Sequence, residues 1–506
     1  MSRLTGLIRV AVFFAIVGRS ALSDAYNQAN ATPNLVYELL LGGILSSSLV
    51  PLFTRLHHDD DPRGEVAVRS IALLALGGVT GLSMLLAPWI FQLYATATSQ
   101  QVDATLYREV GGALAVFFLA QIFFYGLNAL LGAELQARGR FFAAAWSPAL
   151  SNLAIIASLL VVPALVDGKP GLDDVVSNDA LRYTLGIGAT AGIAVMALAL
   201  LPSMMAAGAP LGFRIDVRNP AVATLRRLSG WALGYVVANQ VAIIVVQNLL
   251  VRSAEGAQSA YTLAFTLFVL PHGLLAMSIV TTFLPLMSRS IAERDRPALI
   301  ERSSQGLRIV ALLTIPAGFG LFVLRQPLVA MVAGYGNFTA DDVLAASRAL
   351  AGFALGLGAF SIYLFVLRVF YAHTDARTPF VINCVENAIN IVLALLLWQR
   401  YGALGVAASF AIAYAVSALW SLQVLSYKVR GFPLRATLQS FGRMVLAGVV
   451  MMEVVWVVAQ VVGSNDGAGA LLTVVVGGLV GVAVYAGVLW LLGAPELRQV
   501  RSALQR

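Results

Sequence analysis

The chain has 506 residues, of which 59% are hydrophobic and only 11% charged, with a mean hydropathy of +0.83. A soluble domain carries about 25% charged residues, so lipid is the solvent for most of this surface, which argues against a soluble enzyme. The net charge of +8 is carried almost entirely by Arg in short segments between apolar runs; that pattern suits loops facing anionic lipid, and no basic–aromatic interleaving points to nucleic acid.

Residues 4–17 are apolar, contain Arg9 and show no small-residue cleavage site before Asp24. They read as a first membrane helix and not as a signal peptide. Runs long enough to cross a ~30 Å hydrocarbon core then recur along the chain, at 3–20, 26–54, 66–96, 107–135, 142–166, 181–206, 227–251, 258–288, 305–333, 345–371, 378–399, 403–427, 440–463 and 468–493. The expectation is an all-α integral membrane protein of about 14 transmembrane helices. The polar breaks at 56–65, 167–179, 213–219 and 289–301 are too short for a separate soluble domain. With the N-terminus in the cytoplasm, 25 of the 33 Lys and Arg fall on the cytoplasmic side and 8 on the other, so both termini are expected inside.

Ala25-Tyr26 followed by Pro51-Leu52-Phe53-Thr54-Arg55 recurs as Ala260-Tyr261 followed by Pro285-Leu286-Met287-Ser288-Arg289, and Arg3-Leu4-Thr5-Gly6 is similar to Arg227-Leu228-Ser229-Gly230. Six spans separate the copies, an even number, which makes the repeat parallel and points to a transporter with two lobes. The division read from this is an N-lobe over 1–212, a C-lobe over 213–430, and a last pair of helices with a cytoplasmic tail over 431–506. That pair lies outside the repeat and carries only Glu453 and Asp466 as acids. It is expected to face lipid, with nothing to pack inside the lobes.

Charges inside spans are costly and mark cavities or pathways. Arg3 and Arg9 lie on the first span, and Asp24 with Asn27, Gln28, Asn30 and Thr32 surrounds the entry to the second. Pro33-Asn34 interrupts that helix, with Glu38 a turn beyond. Asp24, the only intramembrane acid near two basic residues, is expected to pair with Arg3 or Arg9. The seventh and eighth spans carry Asn239, Gln240, Gln247, Asn248, Thr266 and His272, which suit hydrogen bonds between helices. Glu386 and Asn390 share a helix face with Asn383 and Asn387, a setting for a cation or proton. A lone Cys384 excludes a disulfide within the chain, and the four His lack metal-ligand spacing. His57 and His58 before Asp59, Asp60 and Asp61 read as a solvated loop. No metal site and no catalytic residue are expected, since no Walker, Rossmann, zincin or serine-elbow motif occurs.

The opening Ser2-Arg3-Leu4-Thr5-Gly6-Leu7-Ile8-Arg9, Ser23-Asp24-Ala25-Tyr26, Pro33-Asn34-Leu35 and Val50-Pro51 resemble the start of the MurJ (MviN) lipid II flippases, relatives of multidrug extruders and polysaccharide flippases. Gly336-Asn337-Phe338-Thr339-Ala340-Asp341-Asp342 and Phe370-Tyr371-Ala372-His373-Thr374-Asp375-Ala376-Arg377-Thr378-Pro379 agree with it. The resemblance implies a flippase for lipid II or another undecaprenyl-linked glycan in the bacterial cytoplasmic membrane, among membrane lipids and cell-wall synthesis proteins. It implies substrate contacts at Arg3, Arg9 and Asp24, with Ser2, Asn34, Ser259 and Thr266 beside them. It requires no cofactor, with coupling by Na+, H+ or the membrane potential and Glu386 and Asn390 as ion candidates. This sequence departs from the family where a basic residue gives way to Tyr37, an acid to Gly42, and an Arg and a Glu to Thr266 and Val269. Ala394 stands where some members place a second sodium ligand. A non-transporting scaffold is the alternative these departures leave open.

Overall fold

The computed structural model describes residues 2–37, 45–210, 212–216, 230–373, 375, 377–463 and 467–496. Of these, the side chains of Ser2, 34–37, 45–48, Pro51 and 230–237 are not described. The expectations placed on Glu38, Gly42, Asp466, the Arg227–Ser229 copy of the repeat and the C-terminal tail therefore lie outside the described residues. Everything regular that is described is helical, with no strand.

The chain forms two compact units, Met1–Ser259 with Tyr335–Phe338, and Ala260–Gly334 with Thr339–Arg506. The first contains α1 (Ser2–Val17), α2 (Ala21–Tyr37), α3 (Leu45–His58), α4 (Pro62–Leu85), α5 (Ala87–Tyr94), α6 (Ala104–Leu119), α7 (Gln121–Ala137), α8 (Phe142–Leu159), the short α9 (Leu172–Ser177), α10 (Asp179–Leu198), α11 (Leu201–Ala206) and α12 (Gly230–Ser253). α13 (Ala257–Pro271) begins in this unit and continues in the second through a π-helical turn (His272–Ala276) into α14 (Met277–Ala292). There follow α15 (Arg296–Val323), α16 (Arg325–Ala333), α17 (Ala340–Ala354), α18 (Leu357–Ala372), α19 (Arg377–Lys428), α20 (Leu434–Val462) and α21 (Gly467–Leu491). The units divide at 259/260, where α12 packs on α2 and α5 of the first unit.

The sequence sets the helix ends. Asp61, Asp103, Asn178, Asp295 and Thr339 each stand just before a helix and accept a hydrogen bond from a first-turn N–H, satisfying a donor that the helix leaves unpaired. The expected break between 399 and 403 falls within α19 at Gly402, whose non-helical φ of 53° and ψ of −134° suit glycine and divide the segment into two helices.

The repeat reappears as geometry in the turns α3–α4 and α14–α15. Asp60 and Arg294, 234 residues apart, are the two left-handed non-glycine residues among those described, with φ of 49° and 56°. Around them the bonds match one for one. The N–H groups of Asp59 and Glu293 donate to the carbonyls of Arg55 and Arg289 at 2.8 and 2.9 Å, and those of Asp61 and Asp295 to Leu56 and Ser290 at 2.9 and 2.8 Å. Both aspartates then cap the following helix, accepting from Gly64 at 2.9 Å and Ala298 at 3.0 Å.

Among the described residues, nine helices are long and apolar enough to cross a membrane, or ten if the bent pair α17–α18 counts as one span. The other expected spans fall on helices that are shorter (α1), interrupted by undescribed residues (α2 and α3), incompletely described (α12) or joined (α19). The first unit's cores gather Leu49, Phe53, Val68, Leu76 and Leu130, and Leu131, Leu135, Leu200 and Met204. The second unit's core runs from Ala276 to Ala494. Phe441, Met444, Met451 and Val455 of α20 and Tyr485 and Leu489 of α21 belong to it. This corrects the expectation that the last pair packs nothing inside the protein: one face of each helix is core. Even so, only 22% of the apolar stretch of each is buried, and Val450, Val457, Leu472, Leu479 and Val482 stand exposed, as a lipid-facing surface requires.

Candidate functional site

The polar entry of α2 is the most densely bonded membrane feature of the first unit. α1 ends at Gly18, left-handed at φ 68°, where a Cβ would come within 2.6 Å of the Asn337 carbonyl oxygen. Asn337 closes that helix end. Its N–H donates to Ala15 O at 2.8 Å and its Nδ2 to Ile16 O at 2.6 Å, while Phe338 packs edge-on against Phe14. These are carbonyls of the last turn, which lack partners within the helix. The conspicuous Gly336-Asn337-Phe338 motif is thus a cap.

Asp24 follows one turn into α2 and is 2% exposed. Its two oxygens accept from Gly256 N at 2.8 Å and Ser259 N at 2.7 Å. It therefore caps the N-terminus of α13, where the free N–H groups and the helix dipole favour an anion. Ser259 Oγ donates to Ser23 Oγ at 2.8 Å, Asn27 Nδ2 donates to Ser259 Oγ at 3.2 Å, and Glu255 Oε1 accepts from Ala21 N at 3.0 Å. The expected pairing of Asp24 with Arg3 or Arg9 is not the arrangement found. The basic residue held at this turn is Arg19, whose Nη1 donates to the Glu255 carbonyl at 2.6 Å. The reason is helix length: at 1.5 Å per residue, Arg9 and Arg3 lie about 12 and 21 Å back from the end of α1.

Arg3 is exposed at the start of α1, and Arg9 is half-buried two turns further in. The Nε of Arg9 is shielded from solvent and has no hydrogen-bond partner among the described residues. An arginine left unsatisfied at that depth is costly unless an anion reaches it. α1 is held against α8 by Asn152 Nδ2, which donates to Thr5 Oγ1 at 3.0 Å. Ser2 and Asn34 lie on α1 and α2, and their side chains are not described. Thr266 lies in the second unit and bonds back to Thr262 O of its own helix at 2.8 Å.

The other polar groups mostly join helices. Asn248 accepts from Thr96 N and Oγ1 at 2.9 and 2.7 Å and donates to Leu93 O at 2.6 Å, and His272 Nδ1 meets Ser361 Oγ at 2.9 Å. On α19, Glu386 is 1% exposed; Asn390 Oδ1 accepts from Ser409 Oγ at 2.9 Å, and Ala394 is fully buried. No group of three or more His, Cys, Asp or Glu that could hold a metal occurs among the described residues.

Arg69 and Arg138 are among the basic residues counted on the cytoplasmic side, and the side chains of both are buried. Glu65 with Arg69 on α4, and Glu134 on α7 with Arg138 at that helix's C-terminal cap, form two i,i+4 pairs, which are joined crosswise. Arg69 Nη1 donates to Glu134 Oε2 at 2.8 Å, with side chains 6% and 0% exposed. Arg138 donates to Glu65, and Arg69 also to the Pro210 carbonyl. The signal was the paired Glu-x-x-x-Arg spacing, which sets both charges of each helix on one face. In the second unit, Lys428 Nζ lies 2.5 Å from Asp375 and Arg308 3.7 Å from the buried Glu496. Asp375 lies outside the spans. Burial would raise its carboxyl, but bonds from Lys428 and Thr378 hold it at about 2.

This is the fold of a multi-helix membrane transporter. It is similar to an inward-facing multidrug resistance MATE family transporter of the MOP superfamily, at TM-score 0.69 and 14% identity over 85% of this chain and 95% of that one. A solved structure of the lipid II flippase MurJ in an inward closed conformation aligns at TM-score 0.77 and 23% identity over 96% of both chains. The model of the family described as lipid II flippase MurJ matches residues 13–477, and the chain belongs to that family. The probable lipid II flippase MurJ of Rhizobium meliloti is 28% identical, covering 100% of this chain and 94% of its own length. The corresponding protein of Vibrio cholerae is 26% identical over 100% and 96%. These relatives are named as flippases, which are transporters and not enzymes.

Proposed function

We propose that this protein moves lipid II, the undecaprenyl-linked peptidoglycan precursor, from the cytoplasmic to the outer leaflet of the bacterial cytoplasmic membrane by alternating access, with both termini cytoplasmic. Membership of the flippase family supports the substrate. The observation that carries the reading to a residue is the buried Nε of Arg9, unpartnered among the described residues, on a helix that is apolar from there to its end. A guanidinium presents a rigid fork of donors matched to phosphate oxygens, so Arg9 receives the pyrophosphate and the exposed Arg3 attracts it. Asp24 acts by position: it fixes the first turn of α13, and with it Ser259, beside Ser23 and Asn27. The lipid-facing surface of α20 and α21 carries the polyprenyl tail. Glu386 and Asn390 are the proposed coupling site for a proton or sodium ion. The test is complementation: expressed in cells depleted of their own MurJ, this chain should restore growth and shape. A chain that reaches the membrane at normal levels and fails to restore growth would refute the assignment.

A further inference from the structure

Two turns built alike carry different residues at their left-handed position. In the first it is Asp60, a type that adopts this backbone readily; in the second it is Arg294, for which φ of 56° is costly. Arg294 has no ion pair among the described residues, so its turn gives no reason for an arginine there. Its side chain lines a cavity of about 250 Å³ in the second unit, with Ser290, Asp295, Arg296, His373 and Lys428 around it.

The charges of this cavity are unbalanced. Asp295 is its only acid and is engaged in capping α15 through Ala298 N at 3.0 Å. Arg296 donates to the Arg430 carbonyl, and Arg302, which is outside the lining, donates to the lining Ser290 Oγ at 2.6 Å and to Leu286 O at 2.7 Å. Those neutral acceptors orient the guanidiniums and cancel none of their charge. Only Lys428 has a carboxylate partner, Asp375. Two guanidiniums, of Arg294 and Arg296, line this concave space without a carboxylate partner among the described residues, and such a pair suits a phosphate. The cavity also sits at helix ends flanked by tyrosines, Tyr371 at the end of α18 and Tyr427 at the end of α19, 39% and 74% exposed. Exposed aromatic rings at helix ends mark the headgroup layer of a bilayer.

We propose that this cavity binds the phosphate of an anionic phospholipid headgroup at the basic face of the membrane, a site separate from the proposed transport residues on α1 and α2. Free phosphate shares that chemistry, so the test has an arm for each source. Full-length protein in neutral detergent is unfolded thermally with phosphatidylglycerol, phosphatidylcholine or inorganic phosphate added. Phosphatidylglycerol should raise the midpoint and phosphatidylcholine should not. Arg294→Gly with Arg296→Gln should weaken the half-saturating phosphatidylglycerol by roughly fivefold per cation removed. Without lipid its midpoint should not fall on account of residue 294, because glycine suits that backbone. Arg435→Gln, an exposed cation at the start of α20 and outside the cavity lining, should respond like the wild type. Protection by inorganic phosphate alone, lost in the double variant, would keep the phosphate site and assign it to a soluble anion. The proposal falls if the double variant responds like the wild type, if Arg435→Gln loses as much, or if neither phosphate source protects.

Discussion

Asp24→Asn exchanges one carboxylate oxygen for an amide and should loosen the first turn of α13. In the wild type the two oxygens take the N–H groups of Gly256 and Ser259 at 2.8 and 2.7 Å. Asparagine keeps a single acceptor, so one of those N–H groups would face another donor. A hydrogen bond to a charged group contributes about 1.5–3 kcal/mol, and an anion at a helix N-terminus adds about 0.3–1 kcal/mol. Local opening should therefore become easier by roughly 2–4 kcal/mol, about 30- to 700-fold in the opening equilibrium. Hydrogen exchange followed by mass spectrometry reads this directly in a peptide spanning 253–262. Exchange there should accelerate by that range, while α15 stays at its wild-type rate. Unchanged exchange at Gly256 and Ser259 would mean that the carboxylate does not hold the turn.

Glu134→Gln leaves the buried Arg69 without its counter-charge and should cost about 3–5 kcal/mol, seen as a lower thermal midpoint and lower membrane levels; Arg69→Met with Glu134→Leu should recover most of the loss. A single variant as stable as the wild type would show that the crosswise pairs hold nothing together. Asp375 gives a pH dependence with a definite sign. Its folded carboxyl at about 2 lies below the ordinary 3.8, so its contribution is complete above pH ~4 and fades as pH falls toward 2. The gap between the thermal midpoints of wild type and Asp375→Asn should be full at pH 5, narrow by pH 2.5 and close only below pH 2; a constant gap would contradict the Lys428 pairing as the cause.

Local and periodic features were legible in the sequence. The apolar runs fall on helices where they are described, the break near Gly402 appears as a non-helical residue between two helices, and the 234-residue offset of Pro51 and Pro285 returns as two matching sets of turn bonds. What the sequence did not show was which polar group meets which. Asp24 stood out as an acid inside a membrane, but its partners lie 232 and 235 residues away, and no helical spacing points to them. Proximity along the chain suggested Arg9 instead. Arg69 and Arg138 follow the positive-inside pattern, which counts charges near helix ends and is silent about their burial. The last two helices were read as wholly lipid-facing because their hydropathy is high all round. The faces carrying Phe441, Met444 and Tyr485 differ from the rest only in what the fold brings against them.

Translocation of lipid II by the purified protein in proteoliposomes tests the assignment most directly. Labelled lipid II in the inner leaflet is followed by its exposure to an enzyme added outside. The wild type should expose it faster than empty liposomes do. Arg9→Ala should reconstitute and fold normally, since the Arg9 Nε bonds to nothing among the described residues, and should fall to the rate of empty liposomes. Wild-type translocation by Arg9→Ala would contradict the role of that guanidinium, and no translocation by the wild type would contradict the function itself.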